Sequence, residues 1–235
     1  MWRRGISTCI GSMAALALTQ MIAQGAHGQS VIQRPSCVGI IQGIVSQHKG
    51  QPVRGFSVVA WPVGIGVGGP LPTTRTDESG RYRFKNVCVG RYTVLPQDEE
   101  TGYPRMNPNL YEFLYGRPVE EITITTKNNR ADLNVKLPPK PGLMRVHITG
   151  ASNAEVRTFT IKLKIPNQKY ADEMQFLFFP DVKDREIEVP PGKDFRVEVV
   201  ADGFRNWTGD SEEHTLLSVP SGEHASLDAR LEPLK

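Results

Sequence analysis

The stretch of residues 74–94 constrains the fold more than any other part of the chain. Tyr82 and Phe84 alternate with arginine and lysine in its first half, and Tyr92 and Val94 repeat the pattern in its second half. Such alternation is typical of β-strands with one buried face. Two short strands are marginally stable alone, so they need partner strands and a second sheet over the apolar face. The stretch therefore predicts a β-sandwich.

A tight turn is predicted just before the first of these strands, at residues 77–80. The side chain of Asp77 can accept a hydrogen bond from the backbone two residues on, and Gly80 can take a positive φ. We expect a β-carbon at Gly80 to destabilise the turn.

The remaining composition suits packed β-structure, because β-branched and aromatic residues recur in short runs between glycine, proline, asparagine and aspartate. A single short helix is predicted at residues 109–115, where Leu110, Phe113 and Leu114 share one face. The strands predicted in the first half are 38–46, 56–61, 72–76, 81–86, 91–95, 121–125 and 132–137.

The order of turn glycines and core residues in the first half resembles the carboxypeptidase regulatory-like domain, a prealbumin-like (transthyretin-like) β-sandwich. The resemblance covers residues 37–137. Because its shared residues are turn and core positions, it implies a fold and no particular activity. The residues that carry it are Gly43, Val45, Gly50, Pro52, Val53, Gly55, Thr76, Asp77, Gly80, Phe84, Gly90 and Tyr92.

The second half repeats the first faintly. Residues 216–231 align without gaps on residues 122–137, which places Leu227 on Leu133 and Leu231 on Leu137. Between the halves, three prolines in residues 138–141 predict a stiff spacer. We therefore expect an all-β chain with two prealbumin-like antiparallel β-sandwich domains in tandem, at residues 30–138 and 143–235, joined by a Pro-rich linker at 139–142.

Residues 1–29 have the layout of a secretory signal peptide: Arg3 and Arg4, an apolar run, and small residues near Ala26. A membrane anchor is the alternative, but polar residues interrupt a run that is short for spanning a bilayer. Cleavage predicts a secreted or periplasmic protein with no membrane span. It also lowers the net charge of +3 to near neutral. Because no basic stripe is clustered in the sequence, we expect no nucleic-acid partner.

Catalytic and metal-binding patterns are missing from the sequence. His48 and His224 fall in predicted turns, and no histidine pair has ligand spacing. No G-x-S-x-G motif marks a serine nucleophile. The acidic pairs, such as Asp172 with Glu173, lack the alternating oxygen donors of a calcium loop. We therefore predict no enzyme activity, no metal and no cofactor, with a small hydrolase of unrecognised site as one alternative.

Aromatic residues near turns form the candidate ligand site. Sugars are bound by exposed rings with polar neighbours, and a glycine-bounded loop at 203–209 supplies both. A carbohydrate-binding module is therefore the first alternative, ahead of the small hydrolase. The competing interpretation is that Phe204 and Trp207 close the end of the second core. The candidate contact residues are Trp61, Tyr103, Phe204, Arg205, Asn206 and Trp207.

Two cysteines, Cys37 and Cys88, remain after removal of the signal peptide and Cys9. An even count in an exported chain favours a disulfide, and in a prealbumin-type sandwich both positions come near the same end. Two buried free thiols are the alternative.

Together these features of the sequence predict an exported, non-enzymatic binding or scaffold protein, with a protein or a cell-surface glycan as partner.

Overall fold

The computed structural model describes residues 37–64, 70–179, 184–209 and 216–234. The predicted signal peptide at 1–29, with Cys9, falls outside these described residues.

The first half of the chain forms a β-sandwich. One sheet has the strand order β4-β1-β7, with β8 also paired to β1, and the other has the order β3-β2-β5-β6. The strands are β1 (Gly39–Ser46), β2 (Ser57–Pro62), β3 (Thr73–Arg75), β4 (Arg81–Val87), β5 (Gly90–Pro96), β6 (Ile122–Ile124), β7 (Arg130–Asp132) and β8 (Val135–Lys136).

The predicted alternation in β4 is what builds the first core. Tyr82 and Phe84 are buried while the intervening basic side chains are exposed. The two rings meet edge to face with centroids 5.7 Å apart, and the Tyr82 hydroxyl donates a hydrogen bond to the carbonyl of Leu133. On the facing sheet, Val58 and Val94 complete the same apolar cluster. The prediction of a sandwich from this stretch is confirmed.

A second β-sandwich follows. Its sheets have the strand orders β12-β9-β15 and β11-β10-β13-β14. Its core includes Met144, Ile161, Phe195 and Leu227. The strands are β9 (Gly142–Gly150), β10 (Phe159–Lys164), β11 (Glu173–Phe178), β12 (Asp184–Val189), β13 (Asp194–Ala201), β14 (Leu217–Ser218) and β15 (His224–Leu231).

The two sandwiches share strand order and strand direction. Ile41 lies opposite Phe84 in the first, and Met144 lies opposite Ile187 in the second. The separation along the chain from Ile41 to Met144 equals that from Phe84 to Ile187, so the register repeats. Each sandwich also contains a parallel pairing that the sequence did not reveal. In the first sandwich β1 pairs with β7 and β8, and in the second β9 pairs with β15.

The predicted strand at 132–137 is divided into β7 and β8. Between them the side-chain oxygen of Asn134 accepts the backbone N–H of Ile44 at 3.0 Å. A side chain thus replaces the backbone acceptor of the ladder at this point, and the pairing resumes at Val135.

The turn before β4 has the predicted geometry. The Asp77 carboxylate accepts the backbone N–H groups of Ser79 at 2.8 Å and of Arg81 at 2.9 Å, and Gly80 has a φ of +72°. A β-carbon at Gly80 would lie 2.7 Å from the Pro52 β-carbon and 2.9 Å from the Val45 carbonyl oxygen. The glycine is therefore required by both its φ and its close neighbours.

Gly50 offers a matched control for Gly80. It has a φ of +82°, but a β-carbon there would meet no atom within 4 Å. We expect Gly80→Ala to lower the free energy of unfolding by roughly 2–3 kcal/mol and Gly50→Ala by about 1 kcal/mol, measured by denaturant unfolding. Equal losses in the two variants would show that the contacts around Gly80 do not matter.

Cys37 and Cys88 form a disulfide, as predicted, with a sequence separation of 51 residues. Cys37 precedes β1, and Cys88 lies in the connection between β4 and β5. The bridge therefore fastens the start of one strand to the end of its neighbour.

Candidate functional site

A short helix stands between the two sandwiches. Helix α1 (Pro108–Tyr115) begins where the Asn107 side chain accepts the backbone N–H of Leu110 at 2.8 Å, with proline in the first turn. It ends at Gly116, which has a φ of +66° and whose N–H bonds to the Glu112 carbonyl. The helix predicted at 109–115 is confirmed.

The helix buries side chains in two directions. Leu110, Phe113 and Leu114 lie in the core of the second sandwich, together with Met106 just before the helix. Tyr111 packs instead in a separate cluster with Val59 of β2 and Leu95 of β5, in the first sandwich. A segment that belongs to the first half by sequence therefore completes the core of the second.

Gln168 fastens the end of α1 to the second sandwich. Its side-chain nitrogen donates to the carbonyls of Phe113 and Ala171, both at 2.9 Å, and its oxygen accepts from the Lys193 ammonium at 3.0 Å. A β-carbon on Gly116 would lie 2.6 Å from the same oxygen, so the helix end approaches Gln168 closely.

The proline spacer is held along its length. Prolines have no N–H to donate, but their carbonyls can accept hydrogen bonds. The four successive carbonyls of residues 138–141 each accept one. The Tyr103 hydroxyl bonds the first at 2.9 Å and the Tyr115 hydroxyl the second at 3.0 Å. The Ser221 hydroxyl bonds the third at 2.9 Å and the Gly222 N–H the fourth at 3.2 Å. Residues of both sandwiches thus contact the spacer.

Burial also affects the two tyrosines that hold the spacer. It raises the pKa of Tyr115, with further increases from the neighbouring Tyr111 and Tyr103 and an opposing effect from Arg117. Burial likewise raises the pKa of Tyr103. Both hydroxyls therefore keep the proton that they donate to the spacer at neutral and mildly alkaline pH.

Basic side chains of both halves line a cleft beside the spacer. We call it the junction cleft. Its volume is about 370 Å³, and it is lined by His48, Leu114, Tyr115, Arg117, Lys136, Leu137, Pro138, Pro139, Pro191 and Lys193.

The candidate aromatic residues are not brought together. Trp61 lies in β2, and Tyr103 is only 8% exposed, with its ring edge to face against Phe56. Tyr103 therefore offers no free ring face to a sugar, contrary to the expectation for an exposed platform. Its hydroxyl instead donates a hydrogen bond to the Pro138 carbonyl of the spacer.

The loop at 203–209 has mixed exposure. Phe204 and Trp207 are half-buried and pack against the core of the second sandwich, which favours the interpretation that they close its end. Arg205 and Asn206 are exposed, but the Asn206 amide donates to the Glu198 carboxylate at 2.6 Å. The two rings of this loop therefore pack on the core, and the Asn206 amide makes a local hydrogen bond.

The described histidines lie at the surface. His48 is in an exposed turn and His147 is exposed on β9. His224 begins strand β15, rather than lying in the predicted turn, and its ring contacts the Glu186 carboxylate at 2.8 Å. Within the described ranges, no group of three or more histidine, cysteine, aspartate or glutamate residues is arranged to hold a metal ion.

The sequence placed the helix in the first domain and did not predict the junction. A signal was present: Leu110, Tyr111, Phe113 and Leu114 are large and apolar on more than one side of an eight-residue helix. A helix that is apolar around its circumference is buried between two surfaces.

Comparisons with known proteins give no family. No protein-family model matches the chain, and no curated protein matches it. Among solved structures, the Bacillus anthracis TIE protein is 13% identical with a TM-score of 0.33, over 84% of this chain and 34% of that one. This chain therefore spans about a third of the TIE protein.

Two other solved structures are of similar size to this chain. The minor pilin GBS52 of Streptococcus agalactiae is 9% identical with a TM-score of 0.32, over 84% of this chain and 97% of that one. A DUF3823 family protein of Bacteroides ovatus is 14% identical with a TM-score of 0.32, over 84% and 100%. Because these TM-scores are below 0.5, we draw no argument from the likenesses. In the described part of the chain, no helix is long and apolar enough to cross a membrane.

Proposed function

We propose that this protein is an exported, non-enzymatic scaffold in which two carboxypeptidase regulatory-like sandwiches act as one stiff unit toward a protein partner. The observation that supports this most directly is the placement of α1, whose Phe113 and Tyr111 pack into opposite sandwiches. A helix that packs on both sandwiches opposes hinge motion, because bending would expose apolar surface on at least one side.

The bonded spacer supports the same proposal. A free linker leaves its carbonyls to water, whereas here residues 138–141 accept bonds from the protein. Each such bond contributes on the order of 1 kcal/mol, so together they restrict the linker. The disulfide between Cys37 and Cys88 agrees with export, since such bonds persist in oxidising compartments.

Distance measurements between spin labels test the stiffness of the unit. Exposed positions for the labels are Lys85→Cys on the first sandwich and Asp228→Cys on the second. We expect one narrow distance distribution, as wide as that of a reference pair inside the first sandwich, Lys85→Cys with Thr123→Cys. A distribution much wider than the reference would overturn the proposal.

An uncoupled variant sharpens this test. Tyr115→Phe combined with Gln168→Ala removes one spacer bond and the clip at the end of α1. We expect the distance distribution between the sandwiches to broaden while that of the reference pair stays unchanged.

A glycan array with the mature protein addresses the sugar-binding alternative. A signal that Trp207→Ala abolishes would favour a carbohydrate-binding module instead.

A further inference from the structure

The junction cleft combines positive charge with an apolar floor. Arg117 and Lys136 reach it from the first half of the chain, and Lys193 reaches it from the second, with His48 at its edge. No carboxylate is among the residues that line it. A charged cleft of one sign attracts ligands of the other sign.

These cations have no acidic partner among the described residues. The Lys193 ammonium bonds the neutral amide of Gln168 at 3.0 Å. The Arg117 guanidinium donates to the Tyr111 hydroxyl at 2.9 Å and lies 5.8 Å from the centre of the same ring. Burial lowers the pKa of Lys193, because partial desolvation disfavours its charged form. A bound anion would relieve that cost.

Glu188 of β12 is an acidic side chain that acts on the junction. It influences Tyr115, but it does not line the cleft. Burial raises the pKa of Glu188, so its own environment disfavours the charged form. The three basic groups therefore line the cleft without a carboxylate among the described residues beside them there.

The rest of the lining is apolar. Leu114, Leu137 and the three prolines form most of the wall, and Tyr115 adds an aromatic edge. The volume of about 370 Å³ lies within the range of pockets that bind small organic molecules. A ligand that fits both features carries one anionic group on a compact aromatic or aliphatic body.

We propose that the junction cleft binds a small organic anion, a carboxylate, sulfonate or phosphate with an apolar body, between the two sandwiches. Lys136, Lys193 and Arg117 bind the anionic group, and the leucine and proline side chains pack against the body. The site rests on the meeting of the two sandwiches in the proposed function, because its basic groups come from both halves of the chain, and it does not require a rigid junction.

The probe is 8-anilinonaphthalene-1-sulfonate, titrated by fluorescence, with neutral N-phenyl-1-naphthylamine as the matched apolar compound. We expect saturable binding of the sulfonate that weakens with added salt, and little binding of the neutral compound. Lys136→Glu should weaken sulfonate binding by roughly tenfold or more, because it reverses a charge in the cleft. Lys85→Glu, an exposed lysine on β4 far from the cleft lining, should change it less than about twofold.

Equal binding of both compounds, or equal effects of the two lysine variants, would overturn the proposal. Lys136→Met combined with Lys193→Met provides a second variant that introduces no negative charge and should also lose the sulfonate. The spin-label distances separate the two proposals. A narrow distance distribution without sulfonate binding would contradict only the proposed anion site. A broad distance distribution with sulfonate binding would contradict only the proposed stiff scaffold.

Discussion

Phe113→Ala lowers the free energy of unfolding by about 3–5 kcal/mol, the range for removing a buried phenylalanine, if the helix completes the second core as the structure shows. Phe113 is fully buried, and its neighbours belong to the second sandwich. Truncation leaves a cavity that the surrounding strands can close only in part. A residue outside the predicted second domain therefore determines that domain's stability.

Tryptophan fluorescence reports the effect where it occurs. In a Trp61→Phe background, Trp207 is the tryptophan in the described part of the chain and lies against the second core. Asn109→Ala is the matched control, because Asn109 is an exposed residue of the same helix. An unfolding midpoint for Phe113→Ala that equals the control would show that α1 does not support the second sandwich.

Loss of the disulfide is the second large effect. With Cys37 and Cys88 separated by 51 residues, the chain-entropy model gives a stabilisation of roughly 4 kcal/mol from the restricted unfolded state. We expect Cys37→Ala combined with Cys88→Ala to lower the free energy of unfolding by about that amount, a large share of the total for a small domain.

Denaturant unfolding with and without reductant measures this effect. Reductant should shift the wild-type midpoint toward that of the double variant and leave the double variant unchanged. If reductant shifts the double variant as well, the change has another cause than the bridge. If neither reduction nor substitution shifts the midpoint, the bridge does not stabilise the fold.

Local pattern was sufficient for most strands of the first sandwich. The alternation in β4 and β5 fixes which side chains face the core, because successive side chains of a strand point to opposite faces. The predicted strands near β1, β2 and β3 agree with the structure within about two residues, the usual uncertainty of element ends. The turn at Gly80 followed from its own residues, since a tight turn is set by local backbone and side-chain bonds.

The candidate ligand site could not be predicted from local pattern in the same way. Tyr103 and Trp207 were selected because aromatic residues near turns are often exposed, yet whether a ring is exposed depends on residues far along the chain. Tyr103 bonds to Pro138 and packs on Phe56, and neither contact is visible in the residues around it. Arg117, Lys136 and Lys193 carry no motif, so only the meeting of the two sandwiches marks them as neighbours.

The sequence by itself determined the all-β sandwich class and the helix at α1, and it favoured the pairing of Cys37 with Cys88 over two free thiols, because each depends on periodicity, capping or a simple count. The tertiary structure alone decided the parallel pairing of β1 with β7, the packing of α1 on both sandwiches and the hydrogen bonds to the spacer. These features depend on contacts between segments that are distant along the chain. Because the burial of apolar groups is non-directional, the residues around a side chain do not reveal which distant groups it will contact.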